Sequence, residues 1–113
     1  MEDIVKQSLL YDFYGDLLTE HQQAIYKEVI FNDMSLGEVA LDLGISRQGV
    51  HDLVKRCDLI LAGYEEKLQL VSKFQQTRTM GEEIRRLTHE FMKTRNMELI
   101  HRIEQISGDI MEL

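Results

Sequence analysis

SLGEVALDLGISRQGVHDLVKRC, residues 35–57, is the stretch that decides how this chain folds. It reads as two short helices joined by a tight turn. Ser35 and Glu38 have the spacing of a capping box, which opens the first helix. Leu36, Val39, Ala40 and Leu43 form its apolar face, and Gly44 ends it. Ala40 is small where the two helices cross. Gly44 supplies a left-handed backbone without a Cβ penalty. Ile45 is expected to be buried in the corner, Ser46 to cap the second helix, and Val50 to point back into the crossing. The second helix continues through Leu53 and Val54 to about Arg56. The joint spacing Ala40, Gly44, Val50 predicts a helix-turn-helix far more narrowly than any one of these residues.

The outward face of the second helix follows from that register. Arg47 and Gln48 lie in its first turn, His51 and Asp52 one turn on, and Lys55 and Arg56 toward its C-terminus. Arg pairs bidentately with guanine and Gln with adenine, so Arg47, Gln48 and His51 are candidate base readers. Ser46 at the helix N-terminus, with Lys55 and Arg56, is a candidate contact to the DNA backbone. Asp52 opposes phosphate, and Gly49 costs helix propensity of about 1 kcal/mol relative to alanine. The same side chains also fit a solvated face on a helix pair used for protein contact.

Outward from the motif the chain stays helical. A first helix is predicted over residues 3–14, with Val5, Leu9 and Phe13 inward and Gly15 as its interruption. Thr19 and Gln22 form a capping box for a second helix with Ile25, Tyr26 and Val29 inside. Asn32 and Asp33 make the turn after it. Leu61, Tyr64, Leu68 and Val71 recur at three, four and three, an a/d spacing. Residues 75–79 are polar and read as a break. Ile84, Leu87 and Phe91 mark a further helix, residues 93–96 another break, and Ile103, Ile106 and Ile110 the last helix, with Glu98 and Arg102 placed to pair. The fold class is all-α. The expected organisation is a helix-turn-helix unit over residues 1–57 and a helical extension over 58–113 that packs on it, mediates dimerisation, or both.

Composition sets the limits. The 113 residues contain no proline and one cysteine, and the formal net charge is −7. A lone Cys57 forms no internal disulfide and suits a reducing compartment. The acidic residues Glu2 and Asp3 at the start do not resemble a targeting segment, and no apolar run reaches bilayer length, so a cytoplasmic protein is expected. His21, His51, His89 and His101 lack metal-ligand spacing, and no base is placed to activate Cys57. A glycine-rich phosphate loop is also missing. These features predict no enzyme activity, cofactor or metal. The acidic balance disfavours a general grip on nucleic acid, whose affinity tracks the number of neutralised phosphates. It keeps open a protein or ribonucleoprotein partner.

Residues 18–57, LTEHQQAIYKEVIFNDMSLGEVALDLGISRQGVHDLVKRC, resemble region 4 of the bacterial sigma factors, a tetrahelical DNA-binding unit. The Leu18-Thr19 opening and the Leu43-Gly44-Ile45-Ser46 turn carry the match. Over nearly its full length, including Tyr64-Glu65-Glu66-Lys67-Leu68, the chain is similar to the YlxM family of small bacterial helix-turn-helix proteins. That resemblance implies a sigma region 4-like fold and a regulatory DNA-binding role. It also implies a link to the signal recognition particle pathway, through gene neighbourhood, and hence a partner in protein targeting. The positions matching the promoter-touching turns of region 4 are Arg47, Gln48 and His51.

Overall fold

The computed structural model describes residues 4–32 and 34–113. The readings that fall on Glu2, Asp3 and Asp33 lie outside them. Among the described residues there are six α-helices and no strand. They are α1 (Ile4–Tyr14), α2 (Glu20–Tyr26), α3 (Leu36–Leu43), α4 (Arg47–Leu68), α5 (Leu70–Thr94) and α6 (Met97–Met111). A 3-10 turn (Gly15–Leu17) follows α1, and a π-helical turn (Lys27–Phe31) extends α2. Contacts divide the chain into two units, Met1–Val71 and Ser72–Leu113. The division placed after Cys57 in the sequence falls in the middle of α4.

The first unit is built around α4. Val50, Val54, Cys57 and Leu61 are its buried residues, at spacings of four, three and four along one face. Against them pack α3 through Val39 and Ala40, α2 through Ile25 and Tyr26, and α1 through Leu10 and Tyr14. Each large aliphatic side chain buried in this way stabilises the unit by about 1.5–3 kcal/mol. No proline or cap interrupts the chain after Arg56, so the helix expected to stop there runs on to Leu68. Lys55 and Arg56 are consequently mid-helix residues.

The inner face of α1 differs from the expected one. Gln7, Leu10 and Tyr14 are buried, while Val5 is 63% exposed and Phe13 also faces outward. The reason is polar. Gln7 Nε2 donates to Asp58 of α4 at 3.2 Å, and the Tyr26 hydroxyl donates to the same carboxylate at 2.7 Å. The Tyr14 hydroxyl donates to Glu65 Oε1 at 2.6 Å and accepts from the Leu70 N–H at 3.0 Å. Glu65 Oε1 accepts from the Val71 N–H as well, at 3.0 Å. A carboxylate thereby satisfies one of the free N–H groups at the start of α5. Apolar periodicity alone does not register these bonds.

Gly15 shows how tightly α1 turns. A Cβ there would lie 2.9 Å from the Tyr11 ring. That ring is stacked on Tyr26, with centroids 5.6 Å apart, and meets Phe31 edge-on at 5.3 Å. It has little room to withdraw, so Gly15→Ala is expected to cost about 1–3 kcal/mol by overpacking. A urea titration followed by circular dichroism checks this.

In the second unit the expected break at residues 75–79 is absent, and α5 is one helix of 25 residues. The Thr77 and Thr79 hydroxyls donate to the carbonyls of Lys73 and Gln75, four residues back. Polar side chains satisfied in this way continue a helix. The chain bends at two other places, at Gln69 and Arg95, both with left-handed backbone (φ 54° and 58°). Asn96 then caps α6 by accepting from the Glu98 N–H. Arg102 does not pair with Glu98 as its spacing suggested. Its Nε lies 3.3 Å from Glu83 of α5 instead.

Candidate nucleic-acid interface

The helix-turn-helix is made by α3 and α4. Ser35 Oγ accepts from the Glu38 N–H at 3.1 Å, the hydroxyl half of the expected box. Gly44 adopts φ 69°, and the Ile45 N–H donates back to the Ala40 carbonyl at 3.1 Å. This is the left-handed C-cap the sequence called for. Val50 is fully buried at the crossing and Ala40 nearly so. Ile45 departs from expectation, being 44% exposed. Leu43 is also exposed, and Leu41 is 85% so. Once Val50 and Ala40 fill the crossing, the corner retains three apolar side chains facing water.

Every candidate DNA contact lies on the exposed part of α4 or at its cap: Ser46, Arg47, Gln48, His51, Lys55 and Arg56. Gln48, His51 and Lys55 fall on one face, at helical spacings of three and four. Arg47 lies to the side. A Cβ on Gly37 of α3 would stand 3.8 Å from its Cδ, so the guanidinium arm crosses the first turn of α3. Arg47 also borders two shallow clefts of about 400 Å3 and 390 Å3, one shared with Leu36, Gln48 and His51 and the other with Leu41, Gly44 and Ile45. Arg56 follows Lys55 by one residue, so it points about 100° away and cannot share a phosphate track with Gln48.

Ser46 Oγ accepts from the Gly49 N–H at 2.9 Å, which leaves its own proton to donate. A Cβ on residue 49 would lie 3.2 Å from that oxygen and 3.7 Å from Ile45 Cδ1. The glycine that looked anomalous in the sequence therefore makes room for its own cap. Asp52 is the group that sequence reasoning undervalued. Its carboxylate accepts from Gln48 Nε2 at 2.8 Å and lies 3.5 Å from His51 Nδ1. Spacing signals the first of these, since Gln48 stands four residues before Asp52 on the helix. Asp58, by contrast, is turned inward to Gln7 and Tyr26.

Charge is unevenly shared. Residues 1–71 carry six Lys/Arg against thirteen Asp/Glu, and residues 72–113 carry seven against seven. The whole net charge of −7 thus belongs to the unit that holds the helix-turn-helix.

Cys57 is buried on the inner face of α4, and burial pushes its thiol up to about 11, with the neighbouring Asp58 carboxylate adding to the rise. At pH 8 the native thiol should resist iodoacetamide, because the thiolate is the nucleophile. Alkylation is expected only in denaturant, and mass spectrometry distinguishes the two states. No group of three or more His, Cys, Asp or Glu among the described residues is arranged to hold a metal ion. No described helix is long and apolar enough to cross a membrane.

A family model described as "Putative helix-turn-helix protein, YlxM / p13 like" (UPF0122) matches residues 1–103. A UPF0122 protein of Thermoanaerobacter sp. (strain X514) is 41% identical over 115 residues, covering 99% of this chain and 97% of the relative. One from Caldanaerobacter subterraneus subsp. tengcongensis is 49% identical over 84 residues, covering 74% and 72%. One from Bacillus licheniformis is 41% identical over 88 residues, covering 78% and 82%.

Proposed function

Since the chain belongs to the UPF0122 family of helix-turn-helix proteins, we propose that it is a regulatory protein that binds double-stranded DNA through the first turns of α4. The carrying observation is the Ser46-capped end of α4, which presents Arg47, Gln48 and His51 to solvent together. In this reading Arg47, Gln48 and His51 meet base edges, while Ser46 and Lys55 hold phosphates. Arg56 reaches a phosphate only on the other flank of the helix. A two-fold dimer sets two such helices on one DNA molecule. Selection of genomic fragments on the purified full chain at low salt tests the reading. Enrichment of a shared sequence supports it, and retention of no fragment by a folded protein rejects it.

A second reading, an adaptor for a protein or ribonucleoprotein partner, is favoured by two observations. The unit carrying the motif holds all the net negative charge, and its corner exposes Leu41, Leu43 and Ile45. An apolar knob in an acidic field suits a basic protein surface with apolar anchors. The targeting pathway implied by the YlxM resemblance is the first place to seek such a partner. Capture from nuclease-treated extract that is lost in Leu41→Lys, with no DNA sequence enriched by the wild type, selects this reading over the first.

A further inference from the structure

We infer that the outward face of α5 binds the phosphate backbone of double-stranded DNA, without regard to base sequence. The inference rests on the reading above for its ligand. It goes beyond that reading in place, because it gives the second unit a contact that the helix-turn-helix does not make.

The face follows from the helical register. α5 turns Met80, Ile84, Leu87 and Phe91 to one side, at spacings of four, three and four. Leu87 is buried there, and Glu83 beside it reaches Arg102 of α6 at 3.3 Å. At about 100° per residue, Arg78, Arg85, Arg86, His89 and Lys93 fall on the opposite side, within an arc of about 100°. All five are exposed. The last four border a shallow cleft of about 590 Å3, together with Glu82 and Glu90. From Arg78 to Lys93 the face runs about 22 Å.

Charge singles this helix out. Five Lys/Arg of α5 stand against three Glu, an excess of two. No other described α-helix has a positive excess: α1 and α4 balance, and α2, α3 and α6 are acidic. The face does contain carboxylates. Glu82 lies within it, 3.9 Å from Arg78, and Glu90 at its edge, 3.4 Å from Arg86. Exposed pairs of this kind are worth about 0–1 kcal/mol, so either arginine can turn to a phosphate at little cost. Among the described residues, Arg85 and Lys93 have no ion-pair partner.

The composition of the face decides its occupant. Of residues 78–93, no apolar side chain falls within the arc. A protein partner is met by an apolar centre with a polar rim. A membrane surface takes apolar side chains beside the basic ones. A phosphate backbone needs cations alone, and guanidinium groups fit its oxygens bidentately. The first unit leaves this need unmet. It carries the whole net charge of −7, and on α4 Asp52 opposes Arg47 and Lys55. Cations on α5 supply the neutralisation that the first unit lacks.

Fluorescence anisotropy of the full chain over a salt series, on a random-sequence duplex and on a selected one, tests the inference. The double variant Arg85→Gln, Lys93→Gln breaks no ion pair and keeps good helix formers. It is expected to lower the slope of log affinity against log salt by about 2, with both duplexes weakened by one common factor and base preference unchanged. Glu82→Gln is expected to tighten both duplexes about fivefold at low salt. An unchanged slope in a double variant of intact helical signal overturns the inference, and so does a loss confined to the selected duplex. If the double variant unfolds, Glu82→Gln decides, and binding no tighter than wild type overturns the inference. A wild type that binds neither duplex overturns this contact and the DNA reading together. Random-duplex binding that falls in the double variant, with no genomic sequence enriched, supports the backbone contact and rejects base reading alone.

Discussion

Tyr14→Ala is expected to lower the unfolding free energy of the first unit by about 3–5 kcal/mol, enough to unfold a domain of ordinary marginal stability. Tyr14 is among the largest fully buried side chains. Its ring fills the space between α1 and α4. Its hydroxyl links Glu65 to the Leu70 N–H where α4 gives way to α5. Tyr14→Phe keeps the ring and removes only the bonds. It should cost about 0.5–1.5 kcal/mol, the net worth of hydrogen bonds to partners that water still reaches. The pair of variants, compared by urea unfolding, separates packing from hydrogen bonding. A phenylalanine variant as stable as wild type would show that Glu65 and Leu70 find other partners.

The same residue sets an alkaline limit. Burial pushes the Tyr14 phenol above its ordinary value of 10.0, and the Glu65 carboxylate accepting its proton pushes it further. The raised value means that the fold favours the neutral phenol. This contribution is fully present below pH 10 and is lost as pH rises through the folded value. Tyr14→Phe should remove that alkaline phase from the pH profile of stability, and other groups should leave the rest of the profile in place.

Arg47→Ala is expected to weaken binding to a selected DNA sequence by about 1–3 kcal/mol, roughly 5- to 150-fold, and to relax preference at one base pair. Binding to unrelated DNA should fall much less, because a base contact contributes little there. Asp52→Asn is expected to act in the opposite direction. It removes a charge that opposes phosphate and weakens the hold of residue 52 on Gln48 and His51, because an amide oxygen is a poorer acceptor than a carboxylate. The gain should be about 1 kcal/mol, roughly fivefold, for all sequences at low salt. Fluorescence anisotropy over a salt series reads both effects. An Arg47→Ala variant with unchanged sequence preference would remove Arg47 from the base-reading set. Tighter binding in Asp52→Asn with no change in selectivity would identify Asp52 as a charge gate rather than a base contact.

Much of the architecture was legible before any coordinates. Thr19 with Gln22, Ser35, and Ser46 marked helix starts, and each caps the helix it announces. Capping is a local bond between near neighbours, so spacing reveals it. Gly44 was legible for the same reason, since its left-handed φ follows from a turn of fixed length. The list of outward residues on α4 followed from the register of Val50 and Val54.

What required tertiary structure was everything set by partners distant in sequence. The inward face of α1 is chosen by Asp58 and Glu65, about fifty residues away, which outweigh the apolar claims of Val5 and Phe13. Leu61 became core because α4 continues past Arg56 beneath the other helices. Ile45 was left to solvent once Val50 and Ala40 occupied the crossing, and the candidate base readers proved to share their face with an engaged Asp52. The sequence by itself determined the all-α class, the caps and the helix-turn-helix, because these depend on dihedral preference and spacing within a few residues. Only the fold decided which side chains are buried, paired or left facing water, because burial is a competition among segments that meet only when the chain has closed upon itself.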